Sequence, residues 1–315
     1  MKAILALSCS LLLAGCAIRP LPEQVTGVTT FNIVKQIRCE TREAVFDTFI
    51  EAMTRNPDRF DESAKRIAER FRDDPASMQK LNPKLFTGNA RQFFDFFWKT
   101  GVAYNFSLDM TETNNLDTEI NLLRTLSASK QLFGFKAGVD RERQNTRAFT
   151  ITDDFASLLS IRPSYCDEHL AAENPIYPMA GKIGIEPFVK QFVRIALYTN
   201  LDSSDDGPPT MVDTLVFTTT VSGSAVPKVT FSPVGRALNV ADAALTAEVT
   251  RKDVHTLTMG LSVLPITPNE PAPRSKVLVG NLLTAKGKGT RQSAANAVDQ
   301  ELTKRALSKT IIVRP

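Results

Sequence analysis

Hydrophobic positions along this chain change period after residue 100. Near Phe31 the spacing is helical: Ile33, Val34, Ile37, Thr41, Ala44, Val45 and Thr48 predict one helix running to about Met53, ahead of Asn56-Pro57-Asp58. The stretch DESAKRIAERFRDD predicts a second, with Asp61 as its cap and Pro75 as its stop. Residues 75–92 read as irregular. FFDFFWK follows at 93–99, where Phe93, Phe94 and Phe97 share one helical face and suit a core. Beyond Gly101 the period becomes two. Val102, Tyr104, Phe106, Leu108 and Met110 alternate with Ala103, Asn105, Ser107 and Asp109, the pattern of a half-buried strand. Further strands are predicted at 119–125, 132–141 and 146–152, with DRERQN as a polar turn between the last two.

The second half repeats this order. FVKQFVRIAL from Phe188 echoes IVKQIRCETR from Ile33, and Val-Lys-Gln recurs at 34–36 and 189–191. Leu215, Phe217, Thr219 and Val221 answer the strand at Tyr104 to Met110. Leu245, Ala247 and Val249 answer Ala137, Val139 and Arg141, and Leu257 and Met259 answer Phe149 and Ile151. The last two sets share one offset, which also carries Arg143 onto Arg251. The predicted fold is therefore α+β: two tandem helix-plus-antiparallel-meander units, with a C-terminal strand at Lys276 to Thr284 and a helix near Gln292 to Ser308. The helix carries a narrow stripe of Ala294, Val298, Leu302 and Ala306. The first unit covers residues 29–170, with a helical, aromatic-rich insertion at about 51–99, and the second covers 171–315. A helix followed by threonine-rich strands ending in HTLTMGLSVLP, 255–265, is similar to the small trypsin-co-occurring domains of bacteria. That similarity implies no activity.

The N-terminus has another character. Lys2 precedes an apolar run from Ala3 to Leu13, too short for a bilayer core, which needs about 20 residues. A charged start, a short apolar middle and a small-residue end make an export signal. The end is Leu13-Ala14-Gly15-Cys16, and it resembles the lipobox of bacterial lipoproteins at all four positions. The resemblance implies that residues 1–15 are removed and that Cys16 is acylated, and the polar, proline-bearing stretch that follows reads 16–28 as a tether. Ala17, in place of Asp, implies the outer membrane, on its periplasmic face. More than one acyl chain gives lasting attachment.

Composition narrows the function. Thirty-eight Lys and Arg against 34 Asp and Glu give a net charge of +4, too weak and scattered for a nucleic-acid footprint. The four cysteines are few enough to assign. Cys9 leaves with the signal and Cys16 carries lipid. Cys39 and Cys166 remain as an even pair in an oxidising compartment, where a disulfide is expected rather than two free thiols.

Catalytic and metal motifs are sparse. With two histidines, His169 and His255, no paired-histidine zinc motif forms. His255 shares strand parity with Leu257 and Met259 and reads as a strand-end core residue, and a Cys166–His169 nucleophile fails if Cys166 is oxidised. No Gly-x-Ser-x-Gly elbow occurs, and AKGKGT at 285–290 lacks the spacing of a phosphate loop. One segment, DSSDDGPPTMVD, places Asp202, Ser204, Asp206 and Asp213 at ligand positions of a calcium loop. Asp replaces the closing Glu and Pro209 takes the apolar position, which favours a solvated turn. No cofactor is expected. The chain is expected to be a non-catalytic, lipid-anchored envelope component, held to the membrane through Cys16 and binding a protein or envelope partner. The rival expectations are an envelope hydrolase with an unrecognised site and a subunit of a multimeric outer-membrane assembly.

Overall fold

The computed structural model describes residues 20–22, 24, 27–55, 60–125, 130–166, 174, 177–199, 201, 208–226, 228–230, 238–263 and 289–311. The fold is α+β: helices precede and follow one sheet of antiparallel strands. The helices are α1 (Thr30–Arg55), α2 (Glu62–Asp73), α3 (Gly88–Trp98), α4 (Phe155–Leu159), α5 (Pro163–Cys166), α6 (Ile185–Tyr198) and α7 (Thr290–Ile311). The strands are β1 (Gly101–Thr125), β2 (Lys130–Asp154), β3 (Thr210–Ala225), β4 (Lys228–Thr230) and β5 (Leu238–Ser262). Their order in the sheet is β2-β1-β5-β3, with β4 antiparallel beside β5 at Lys228 opposite Ala244. The predicted C-terminal strand, 276–284, lies outside the described residues.

Asp61 caps α2 by accepting from the Ala64 N–H at 2.8 Å, and Pro75 opens the 3-10 turn that follows. Two of the predicted breaks are absent. β1 runs unbroken through 111–118, and β2 runs through DRERQN. The charged residues of DRERQN alternate like any strand side chains, and Arg143 finds an ion-pair partner in Glu112, so no turn is needed.

The chain divides into two compact units. A strand unit comprises Met1–Gly27, Leu108–Arg147 and Thr218–Val254. A helical unit comprises Val28–Ser107, Ala148–Phe217 and His255–Pro315.

The helical unit holds a conventional core. Phe49 of α1 contacts the rings of Phe86, Phe93, Phe94 and Phe97 with centroids 5.4–6.4 Å apart. The aromatic run is thus interior, and Phe96 is buried along with its neighbours. On one face of the sheet Ala103 packs against Ala294 and Val298 of α7. Gly260 permits this approach, since a Cβ there would stand 2.8 Å from the Ala294 carbonyl oxygen. On the other face the Tyr104 phenol, wholly buried, meets Thr41 of α1.

Helix α1 is unusual for its buried polar residues, Gln36, Glu40, Thr41, Arg42 and Thr48. Glu40 and Arg42 bind outside the helix, whereas the Thr41 and Thr48 hydroxyls donate to the Ile37 and Ala44 carbonyls within it. Arg38, half-buried beside them, forms a bidentate pair with Asp153 at the end of β2, both bonds 2.8 Å. Arg42 donates from Nε to the Ile161 carbonyl at 3.0 Å. Glu40 accepts the backbone N–H groups of Ile183, Gly184 and Ile185 at 2.6–2.9 Å, which satisfies the start of α6. Cys39 is disulfide-bonded to Cys166 of α5, with Cα atoms 5.5 Å apart and both side chains buried.

Candidate functional site

The strand unit differs in kind from a packed core. Every residue from Gln131 to Glu142 on β2 is exposed, whichever way it points. Side-chain contacts fix the two faces. Lys136 meets Glu119 at 3.4 Å, Gly134 lies against Asn121, Gly138 against Asp117, and Gln144 donates to Asp109 at 3.0 Å. Asn121 also donates to Asp242 of β5 at 2.6 Å. Odd positions of β1 and even positions of β2 and β5 therefore form one face, and it is polar.

The opposite face carries Leu116 and Ile120 of β1, Phe133, Phe135 and Val139 of β2, and Leu245 and Val249 of β5, by strand parity. All seven are exposed, Phe135 at 59 % and Val139 at 50 %. Among the exposed large apolar residues described in this unit, Leu132 and Val226 fall on the other parity. Contiguous exposed apolar surface on this scale marks an interaction site.

A charged border closes one end of the apolar face. Arg143 of β2 pairs with Glu112 of β1 at 2.5 Å, and Asn114 donates to the same carboxylate at 3.1 Å. Burial pushes the Glu112 carboxyl up, but the bonds from Asn114 and Arg143, aided by the charge of Arg251, bring it below the ordinary glutamate range. On β5, Arg251 is buried and pairs with Asp253 at 2.5 Å.

The N-terminal segment is fastened at this border. Arg251 donates to the Leu21 carbonyl at 2.8 Å and to Gln24 Oε1 at 3.3 Å, and Asn145 donates to the Pro20 carbonyl at 2.9 Å. Pro20 and Pro22 are buried there.

The residues singled out from sequence fall as follows. Cys16 and His169 lie outside the described residues, as do Asp202, Ser204 and Asp206. Asp213 stands exposed on β3, its carboxylate accepting from the Thr214 N–H at 2.8 Å. Cys39 and Cys166 are joined. His255 is buried and hydrogen-bonds through Nε2 with the Tyr177 hydroxyl, the rings edge to face. Among the described residues no three His, Cys, Asp or Glu side chains gather as a metal ion would need. No helix among them is long and apolar enough to cross a membrane, which leaves strands unaddressed. Sequence inspection did not pick out Glu112, Arg251 or Asp253 as a group. The one signal was the shared offset that sets Arg143 upon Arg251.

Comparison with known proteins places the chain in a family. A family described as "Uncharacterised protein y4kA" matches residues 19–295. The chain belongs to the y4kA family. A y4kA relative from Sinorhizobium fredii strain NBRC 101917 / NGR234, described as "Uncharacterized protein y4kA", is 30% identical over 270 residues, covering 83% of this chain and 82% of its own. Among solved structures, the InvG secretin domain β-barrel of the Salmonella SPI-1 injectisome is 7% identical, covering 64% of this chain and 69% of that one at a TM-score of 0.14. The open-gate InvG secretin of the same injectisome gives 7% identity and again 0.14. Scores that low carry nothing about this chain.

Proposed function

We propose that this protein is a lipid-anchored, non-catalytic subunit of an outer-membrane assembly, and that the sheet of its strand unit enters the hydrocarbon with the apolar face toward lipid. The observation that carries the reading is the exposed apolar face ending at a charged border to which residues 20–24 are tied. The lipobox resemblance puts acyl chains on a residue four positions before Pro20, and Asn145 and Arg251 bind Pro20 and Leu21 at the border. The border then sits at the membrane interface and the apolar positions lie beyond it. A barrel strand crosses the hydrocarbon in about 9–11 residues. The stretch 114–125 of β1 and its partner 130–141 of β2 are each long enough. Alternation of apolar and polar residues along such strands is the pattern of outer-membrane barrels, where one face meets lipid and the other water.

The test is extraction from isolated outer membranes. The full chain, and equally a version exported with a non-acylated signal, should resist urea at high pH and be released by detergent. Replacing Phe135 or Leu116 by Lys should weaken retention, since a basic residue on the lipid face near the midplane costs about 2–4 kcal/mol. Mass spectrometry of the retained protein should show residues 1–15 absent and acyl chains on Cys16. Release by urea alone, with the acyl chains present, would refute the embedded sheet.

A further inference from the structure

We propose that copies of this chain join head to tail, the β2 edge of one against the β3 edge of the next, closing a β-barrel whose polar faces line a water-filled pore that favours cations. This rests on the membrane-embedded sheet proposed above.

Hydrogen bonding supplies the first step. In the order β2-β1-β5-β3 the outer sides of β2 and β3 have no strand neighbour among the described residues. Inside hydrocarbon every backbone N–H and C=O must be paired, so an open edge cannot remain there. Four strands do not close on themselves, because membrane barrels begin at about eight. Neither edge strand contains a proline, the residue that commonly blocks an edge. Even with the strand predicted at 276–284 the number stays below about eight, so closure draws on strands of another chain.

Strand direction selects that chain. Neighbours in the sheet are antiparallel, so directions alternate across the order and the two outer strands run oppositely. Setting β3 of one copy against β2 of another continues the alternation without a break. It also keeps every copy upright, with each N-terminal segment at the same membrane surface. Pairing β2 with β2 would invert one copy and carry its Pro20 and Leu21 to the far surface. A head-to-tail contact of this kind generates a ring when the rotation closes.

Side-chain chemistry fixes what the ring encloses. With apolar faces turned to lipid, the polar faces turn inward. On the β1–β2 hairpin that face holds Asp117, Glu119, Asp140 and Glu142 against Lys136; β5 adds Asp242 and Glu248 against Lys252, and β4 adds Lys228, so these carboxylates outnumber these ammonium groups six to three. Gly134 and Gly138 on the same face let the Asn121 and Asp117 side chains lie close over the sheet. Repeated in every copy, this excess of carboxylates gives a negative lumen, which concentrates cations and repels anions.

Two measurements on the purified full-length lipoprotein test the inference. In planar bilayers under a KCl gradient, discrete channels should appear with a reversal potential on the potassium side. The double variant Asp140→Lys, Glu142→Lys should shift that potential toward chloride. A photo-crosslinking amino acid at position 136 should join β2 of one copy to 218–225 of another. Absence of channels, chloride preference in the native protein, or β2–β2 crosslinks, in a protein that still resists urea extraction, overturns the pore and leaves the embedded sheet standing. Extraction by urea overturns both.

Discussion

Arg251 donates a guanidinium N–H to the main-chain oxygen of Leu21, 2.8 Å away, and so fastens the stretch behind the predicted acylation site to the border of the exposed sheet. The same side chain pairs with Asp253 and reaches Gln24. One buried arginine thus sets both the charge balance of the border and the position of the N-terminal segment. Asn145 reinforces it through Pro20.

Replacing Arg251 by Ala should therefore free residues 20–24 and weaken the strand unit. Removing one partner of a buried ion pair costs on the order of 3 kcal/mol. Hydrogen exchange should show faster opening of β5 around Asp253, and protease should cut near Gln24 in the variant before the native chain. Equal protection in both would mean that the bonds to Leu21 and Gln24 contribute nothing in solution.

The border should also respond to acid. The folded Glu112 carboxyl titrates below its ordinary value of 4.5, so its contribution is complete above about pH 4.5 and is lost as pH falls through the lower folded value. Protection of β1 and β2 amides, taken against the intrinsic exchange rate at each pH, should fall on acidification below that point. Glu112→Gln should remove part of the acid dependence while lowering stability at neutral pH. An unchanged acid profile in the variant would place the sensitivity elsewhere.

Reduction of the Cys39–Cys166 bond releases a loop of sequence separation 127. Chain entropy assigns such a loop about 4–5 kcal/mol as an upper figure. The urea midpoint of the helical unit should fall on adding reductant, and Cys39→Ser with Cys166→Ser should match the reduced native protein. A midpoint insensitive to reductant would contradict the bond.

Glu40→Ala should destabilise the packing of α1 against α6 by roughly 2 kcal/mol, because the backbone donors at Ile183 and Gly184, part-buried, and Ile185, buried, lose their acceptor. Glu40→Gln should cost less, since an amide oxygen still accepts. The thermal midpoints of the two variants measure the difference.

The α+β class was legible because two periods were clean: α1 and the first half of β1 alternate as a helix and a strand should. Asp61 announced α2, and the aromatic run announced a core. The continuity of β1 and β2 was not legible. Between Met110 and Leu116 the inward parity carries Glu112 and Asn114, which look like a break until Arg143 supplies their partner across the sheet. DRERQN imitates a turn for the same reason. The exposed face stayed hidden because Phe133, Phe135 and Val139 read as ordinary core positions of a strand. Only the folded arrangement shows that none of the described residues covers them. The reach of Glu40 to α6 spans more than 140 positions and leaves no local trace.

A cysteine scan along β2 in intact outer membranes probes the embedded sheet at its decisive point. Cys39 and Cys166 are bonded to each other, so in a chain cleaved and acylated at Cys16 as proposed an introduced thiol reports alone. Substitutions at 133, 135 and 139 should resist water-soluble thiol reagents and be quenched by lipid-soluble probes. Those at 136, 138 and 140 should react with water-soluble reagents, which gives a period of two. Uniform reaction with water-soluble reagents at all six positions would show a sheet standing in water on both sides, and the embedded strand unit would be wrong.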